Sequence, residues 1–197
     1  MNLSDLAKKH GTDKGPACHN YTELYESMFA GIREEKLKIL EIGVLGGASL
    51  RMWYDYFPNA EIHGVEIDKD CLAFADDRFT IHIGDQGDRD FLDTLPDFDI
   101  VIDDGSHRVD DQIMSFKALW PNTRLIYVVE DTYSSYNKRY GGGYRRSGTA
   151  VEFFKDLVDD VNVSRFKDRP TQGLPRCYKD IGMIQFSPSM VALYKGL

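Results

Sequence analysis

The stretch KILEIGVLGG, residues 38–47, places an apolar run directly before a turn that contains three glycines. A short apolar run bounded by turn residues predicts a buried strand. Glycines after such a strand let the backbone turn tightly and let a ligand approach the main chain closely. Residues 48–57 are then predicted to form a helix, so this stretch begins as a strand–turn–helix unit.

The same unit recurs along the chain. The predicted strands are residues 38–43, 61–67, 79–83, 98–102 and 125–129, and the predicted helices are residues 48–57, 69–75, 89–95 and 110–120. Strands that alternate with helices predict a parallel sheet with helices on both faces. Right-handed crossovers then favour a doubly wound, Rossmann-like α/β fold. Residues 182–186 and 190–194 flank a Ser-Pro-Ser turn and predict an antiparallel hairpin that closes one edge of the sheet.

The chain of 197 residues has the length of one domain, and we predict a single domain over residues 1–197. Residues 1–33 are predicted to be a mostly helical N-terminal cap. Residues 132–148 have no regular pattern and carry four tyrosines around three consecutive glycines. A loop of this length is usually a lid or a binding loop, so we predict an unstructured lid here.

The composition narrows the class of protein. Hydrophobic residues make up 42% and charged residues 28%, which is typical of a globular protein, and the net charge is −8. An acidic chain is a poor partner for nucleic acid or for an anionic membrane surface. The N-terminus lacks the apolar segment of a signal peptide. Three cysteines without CxxC spacing indicate reduced thiols, so we expect a cytoplasmic protein.

The glycine turn has the spacing E-x-G-x-x-x-G, from Glu41 through Gly43 to Gly47, rather than GxGxxG. A cradle for pyrophosphate is therefore less favoured than a nucleoside site. Glu66 ends the second strand, where an acid can accept hydrogen bonds from both ribose hydroxyls. Asp85 ends the third strand, where it could bind an adenine amino group. A glycine-rich turn alone is mostly only a turn, but acids at successive strand ends indicate a ligand.

These motifs together resemble those of class I S-adenosylmethionine-dependent methyltransferases. The C-terminal hairpin is similar to the antiparallel strands six and seven of that family. The resemblance implies S-adenosylmethionine as the cofactor. The predicted cofactor-binding residues are Glu41, Gly43, Gly47, Glu66, Asp85, Gln86 and Asp103.

Acidic residues also follow the fourth and fifth strands, in VIDDGSH (101–107) and EDT (130–132). Neighbouring parallel strands would bring these acids to one edge of the sheet. Carboxylates without a cysteine cluster favour a hard cation, Mg²⁺ or Mn²⁺. The alternative is that the acids cap the following helices, as Asp110 and Asp111 are expected to do. His107 lies in the same polar turn and is a candidate for chemistry, although a lone histidine is more often structural.

A second resemblance covers nearly the whole chain. The motifs HGTDK (10–14), HNYTELYESMF (19–29), DDGSH (103–107), EDTYSSY (130–136), YGGG (140–143) and SGTAVEF (147–153) are similar to those of the metal-dependent sugar O-methyltransferases of macrolide tailoring.

This resemblance implies that Asp104, Glu130 and Asp131 bind Mg²⁺ and that His107 is the general base. Tyr133 stands where that family is expected to have a histidine. The tyrosines of the loop are predicted to contact the acceptor, namely Tyr133, Tyr136 and Tyr140.

The resulting hypothesis is methyl transfer to a sugar hydroxyl, on a deoxyhexose such as rhamnose carried by a glycan or a glycosylated metabolite. Two alternatives stay open at this point. A catechol-type O-methyltransferase also places metal carboxylates after strands four and five, and a catechol presents paired oxygens as a sugar diol does. A non-catalytic S-adenosylmethionine-binding module is the other. A homo-oligomer is also among the expectations.

Overall fold

The structure is a computed structural model that describes residues 1–75, 79–163 and 180–196. The chain divides into two compact units, Met1–Gln86 and Gly87–Leu197. The single domain predicted over the whole chain stays a prediction. No helix within the described residues has the length and apolar character needed to cross a membrane.

The first unit contains a parallel sheet in the order β3-β2-β1. Its elements are α1 (Leu3–His10), α2 (Thr22–Phe29), β1 (Lys38–Ile42), α3 (Ala48–Tyr56), β2 (Glu61–Glu66) and β3 (Phe79–Ile83). Four of the five residues of β1 are buried. Burial on both faces explains why this strand reads as a continuous apolar run rather than an alternating one.

The N-terminal helices are part of the packed core of the first unit. Tyr25 and Phe29 of α2 are fully buried and lie against Trp53 of α3, with ring centroids 5.0 Å and 6.1 Å away. The Leu3 N–H at the start of α1 donates to Glu26 Oε2 at 2.8 Å. These aromatic contacts each contribute about 0.5–1.5 kcal/mol beyond area burial, so the helices stabilise the unit that contains the glycine turn.

Two histidines on β2 and β3 form a hydrogen-bonded pair in the first unit. His63 Nδ1 lies 2.9 Å from His82 Nε2, and the rings are stacked. Burial lowers the pKa of His63 to about 4 and also lowers the pKa of His82. Both rings are therefore neutral at pH 7, as expected of structural histidines.

The second unit contains the remaining strands and helices. Its elements are α4 (Arg89–Leu92), β4 (Phe98–Asp103), α5 (Val109–Leu119), β5 (Thr123–Val129), α6 (Ala150–Val163), β6 (Ile181–Ser187) and β7 (Met190–Lys195). β4 and β5 are parallel, whereas β7 is antiparallel to both β5 and β6. The predicted C-terminal hairpin is therefore present, with Ser189 at a positive φ in its turn.

Several local predictions differ from the structure; the helix predicted at residues 89–95, for example, ends at Leu92. Residues 69–75, predicted as a helix, form the 3₁₀ helix Lys69–Phe74. Asp110 and Asp111 lie in the first turn of α5, where acids favour the helix dipole, but the N-cap is Arg108 without a side-chain cap bond, and Asp111 accepts from Ser106 Oγ at 2.6 Å.

The loop 132–148 was predicted to be unstructured, and that prediction is wrong. It contains the 3₁₀ helices Thr132–Tyr136 and Lys138–Tyr140. The loop also folds back on its own backbone, since Gly143 N–H donates to the carbonyl of Ser135 at 2.8 Å. A Cβ at Gly142 would lie 2.3 Å from the Ser134 carbonyl oxygen. Only glycine permits this close approach, so the glycines fold the loop rather than loosen it.

Candidate functional site

The carboxylate of Glu66 joins the end of β2 to the glycine turn in the first unit. Its Oε2 accepts from the N–H groups of Val44 at 3.1 Å and Leu45 at 3.0 Å. Its Oε1 accepts from the N–H groups of Ile67 at 2.8 Å and Asp68 at 3.2 Å. Burial raises the pKa of Glu66, but the four backbone hydrogen bonds outweigh this and the pKa is lowered. Glu66 is therefore an anion at neutral pH, as an acceptor for hydroxyl groups needs to be.

The surroundings of Glu66 fit a nucleoside. Leu45 and Ile67 flank the carboxylate with side chains that are 87% and 67% exposed. Gly43 and Gly47 have φ angles of 94° and 68°, a region that glycine adopts at little cost. An ionised acceptor beside exposed apolar side chains matches the hydroxyls and the base of a nucleoside. The residues present thus fit the adenosyl part of the predicted cofactor.

Three other predicted cofactor-binding residues in this unit differ in accessibility. Glu41 is fully buried, with Lys14 Nζ 3.3 Å from Oε1 and Ser49 Oγ donating to Oε2 at 2.7 Å. Gln86 is also buried, whereas Asp85 is exposed. Glu41 therefore ties the N-terminal segment and α3 to β1. Contacts of these three residues with a cofactor stay predictions.

The second unit brings together three side chains from the ends of β4 and β5. Asp104, His107 and Asp131 each offer one ligand atom, and these atoms lie within 4.8 Å of one another. His107 Nε2 lies 3.5 Å from Asp131 Oδ2. The two carboxylates offer the oxygen ligands that Mg²⁺ or Mn²⁺ prefers, and the imidazole lies next to them. We call these three residues the acidic cluster.

Helix capping does not explain Asp131. It occupies the N-cap position of the 3₁₀ helix Thr132–Tyr136, yet its side chain makes no capping hydrogen bond there. It is also only 6% exposed. Its position beside Asp104 and His107 favours a bound cation over a structural cap.

The structure does not place Glu130 and Asp103 with the acidic cluster. Glu130 is buried, and its carboxylate is not among the three grouped ligand atoms. Asp103 is buried below α5 and accepts from Ser115 Oγ at 2.5 Å. Burial, and then the charge of Asp103, raise the pKa of Tyr127 well above its ordinary value. Metal binding by Glu130 and cofactor binding by Asp103 stay predictions.

Two of the predicted acceptor-binding tyrosines lie beside the acidic cluster. Burial raises the pKa of Tyr133, and the charges of Asp131 and Asp104 and a hydrogen bond with Tyr140 add to this. The ring of Tyr140 lies edge-on to His107, with centroids 6.2 Å apart. The start of the loop therefore forms one wall around the cluster.

Tyr136 lies further along the loop, and its ring neighbour, Tyr144, was not among the predicted acceptor-binding residues. The rings of Tyr136 and Tyr144 are 6.3 Å apart, and both are exposed. The Arg145 guanidinium lies 5.5 Å from the centre of the Tyr144 ring. Tyr144 is the fourth of the loop tyrosines that the sequence analysis counted, but nothing in the sequence indicated which tyrosines would pair.

Comparison with known proteins gives several relatives. No protein-family model matches the sequence. The chain is 35% identical over 207 residues to the 8-demethyl-8-alpha-L-rhamnosyl tetracenomycin-C 2'-O-methyltransferase of Streptomyces olivaceus, covering 98% of this chain and 54% of that protein. It is 36% identical over 186 residues to mycinamicin VI 2''-O-methyltransferase of Micromonospora griseorubida, covering 86% of this chain and 46% of that protein. The chain spans about half the length of the curated relatives it matches.

Comparison with solved structures also gives methyltransferases. The MycE methyltransferase from the mycinamycin biosynthetic pathway, in complex with Mg and SAH, matches with a TM-score of 0.92 and 33% identity, covering 100% of this chain and 55% of that chain. A Staphylococcus aureus structure described as a caffeoyl-CoA O-methyltransferase matches at a TM-score of 0.60 and 12% identity, which shows the fold alone.

The chain thus has the class I methyltransferase fold, and the predicted fold class is confirmed: α/β, mostly parallel, with a C-terminal antiparallel hairpin. Within that class it is a relative of sugar O-methyltransferases, as the sequence motifs indicated.

Proposed function

We propose that this chain catalyses methyl transfer from S-adenosylmethionine to a sugar hydroxyl, assisted by Mg²⁺ or Mn²⁺. The observation that carries the proposal is the acidic cluster at the ends of the parallel strands β4 and β5. The names of the relatives support a deoxyhexose acceptor such as rhamnose, because one of them acts on a rhamnosyl tetracenomycin. The MycE complex contains Mg and SAH, which supports both cofactors.

Different residues of the chain would bind the methyl donor and the cation. Glu66 would accept hydrogen bonds from the ribose of the methyl donor. Asp104 and Asp131 would hold the cation, with Glu130 as the further ligand that the sequence predicts. A divalent cation bound there would stabilise negative charge that develops on the acceptor oxygen.

His107 would remove the proton of the acceptor hydroxyl. Its Nε2 lies 3.5 Å from Asp131 Oδ2 and its side chain is partly exposed, so a hydroxyl can reach it. Its Nδ1 is buried and has no hydrogen-bond partner among the described residues. The carboxylate of Asp131, 3.5 Å from Nε2, would stabilise the imidazolium that forms. General base catalysis of this kind contributes about 10²–10⁴ in rate.

The tyrosine loop would bind the acceptor. Tyrosine rings can lie against the C–H face of a sugar while their hydroxyls bond to its oxygens. Tyr133, Tyr136 and Tyr140 are the residues proposed for this contact, and closure of the loop would exclude water.

A small-molecule or glycan acceptor is the partner in this proposal, rather than nucleic acid or membrane. A homo-oligomer and a cytoplasmic location are retained as parts of it.

An acceptor panel tests the function. Matched rhamnosides, hexosides and catechols are offered with S-adenosylmethionine and Mg²⁺, and release of S-adenosylhomocysteine is followed. We expect turnover of rhamnosides, and we expect its KM to rise about tenfold when Tyr136 and Tyr140 become alanine, since each lost ring contact is worth about 0.5–1.5 kcal/mol. Tyr194→Phe, on β7, is the control. Turnover confined to catechols would contradict the sugar assignment.

Replacement of Glu66 tests the donor site. We expect Glu66→Gln to weaken S-adenosylmethionine binding by about tenfold or more, because hydrogen bonds to a charged group contribute roughly 1.5–3 kcal/mol. Calorimetry measures the affinity. Glu61→Gln, an exposed change at the start of the same strand, should leave it unchanged. An unaltered affinity in Glu66→Gln would remove Glu66 from the site.

A further inference from the structure

Asp131 of the acidic cluster has an uncommon backbone conformation. Its φ angle is 52°, in the left-handed region. Non-glycine residues enter this region seldom, although aspartate tolerates it better than most. Such a conformation persists only when the surrounding structure holds it. The position of the Asp131 carboxylate beside Asp104 and His107 therefore depends on what fixes the peptides on either side of Asp131.

Three hydrogen bonds fix those peptides. The Thr132 N–H donates to the Ser189 carbonyl at 3.0 Å, and the Asp131 carbonyl accepts from the Ser134 N–H at 3.0 Å. The Glu130 carbonyl accepts from Gln112 Nε2 at 3.0 Å. The first two bonds join main-chain atoms and depend little on side-chain identity. The third bond is different, because a side chain, that of Gln112, donates it.

Gln112 is an unusual choice for its position. It lies in the first turn of α5 and is fully buried. Its amide nitrogen must face Glu130, because a carbonyl can only accept a hydrogen bond. Its Oε1 therefore faces away, and it is buried without a hydrogen-bond partner among the described residues. Burying an amide with an unsatisfied acceptor is unfavourable, so packing alone would favour an apolar residue here.

We propose that Gln112 is a positioning residue of the metal site. It fixes the Glu130 peptide, which holds Asp131 in the left-handed conformation, and this places the Asp131 carboxylate next to Asp104 and His107. Gln112 acts through the backbone and contacts neither the cation nor the acceptor. The inference rests on the proposed function, because it assumes that the acidic cluster binds a divalent cation.

The test is Gln112→Met, which keeps an unbranched side chain of similar length and removes the hydrogen bond. Mn²⁺ binding is measured by the electron paramagnetic resonance signal of the free ion. We expect the Kd for Mn²⁺ to rise about 10–100-fold, the usual effect of losing a residue that orients a metal ligand. Donor affinity, measured by calorimetry, should change less than about threefold, because Gln112 acts on the cation site alone.

Thr123→Val is the matched control. Thr123 lies at the opposite end of β5, is buried, and donates from Oγ1 to the Leu119 carbonyl at 2.9 Å. The valine removes one buried side-chain-to-backbone hydrogen bond, as Gln112→Met does. We expect a similar loss of thermal stability in both variants, with Mn²⁺ affinity unchanged in Thr123→Val. If Gln112→Met fails to fold, Gln112→Asn serves instead, since it keeps the amide but is too short to reach Glu130.

The outcomes separate the two proposals. Wild-type Mn²⁺ affinity in the folded Gln112 variants would overturn the positioning role and leave the proposed function intact. An equal loss of affinity in the Thr123 control would also overturn it, because general destabilisation would then be the cause. If the wild-type protein binds no Mn²⁺, the metal site itself is refuted. The positioning role of Gln112 is then refuted as well, because it depends on that site.

Discussion

Removal of divalent metal is expected to abolish methyl transfer by this protein, and added Mg²⁺ is expected to restore it. The ligand atoms of Asp104, His107 and Asp131 lie within 4.8 Å of one another. Without a cation, two carboxylates would oppose the negative charge that develops on the acceptor oxygen. The measurement is release of S-adenosylhomocysteine after exhaustive dialysis against a chelator, and then after addition of Mg²⁺ or Mn²⁺. Full turnover in excess chelator would contradict the metal role.

Asp131→Asn localises this effect to the acidic cluster. Asparagine has nearly the same shape and also tolerates a left-handed backbone, so the variant removes the charge with little strain. We expect Mn²⁺ affinity to fall about 100-fold or more. Loss of a residue that only orients a metal ligand already lowers metal affinity by about 10–100-fold, and Asp131 is a proposed ligand itself. Asp110→Asn removes an exposed carboxylate from the first turn of α5 and is the control. Equal affinities in the two variants would place the cation elsewhere.

His107→Asn is expected to lower kcat by about 100-fold or more while donor affinity stays near that of the wild type, as for loss of a general base. The imidazole Nε2, 3.5 Å from Asp131, is the atom placed to accept the proton. Asparagine is preferred to alanine because His107 has a φ of 57°, which asparagine adopts more readily. Single-turnover kinetics with a rhamnoside at saturating donor and Mg²⁺ measure the chemical step.

His19→Asn is the control for loss of a histidine. His19 lies 3.7 Å from Asp13 in the first unit, and its replacement should leave kcat unchanged. A fall of less than about threefold in His107→Asn would make His107 a structural residue. A loss of Mn²⁺ affinity as large as the loss of kcat would make it a metal ligand, which also contradicts its role as the base.

The pattern of apolar runs was sufficient to place the strands. The third strand was predicted at residues 79–83 and is observed at Phe79–Ile83, and the first two end within one residue of the prediction. In β1, such a run is reliable because most residues of a strand buried on both faces are apolar, whereas β3 alternates buried and exposed residues at its start. The loop 132–148 was misjudged, because tyrosines and glycines have no periodicity and their order comes from contacts such as that of Gly142 with Ser134.

The sequence indicated which strand ends form the site, but it did not indicate which of the acidic side chains at those ends lie close together. Asp103 and Asp104 are adjacent in sequence, yet Asp103 is buried against Ser115 while Asp104 joins the acidic cluster. Glu130 and Asp131 are also adjacent, and of these two only Asp131 is among the three grouped ligand residues. Asp104, Glu130 and Asp131 follow the last residues of β4 and β5, and Asp131 is in the left-handed region, so the alternation of side chains along a strand does not predict which carboxylates converge. Gln112 gave no signal at all, because one glutamine in a helix is unremarkable until its partner is known.

By itself, the sequence determined the succession of strands and helices, the fold class and the strand ends at which acids gather. These follow from hydrophobic periodicity and from glycine and acid positions, which are properties of neighbouring residues. Only the tertiary structure decided which carboxylates converge, that Glu66 ties the glycine turn to β2, and that Gln112 holds the peptide before Asp131. Those facts depend on contacts between residues distant in sequence, and no local pattern records them.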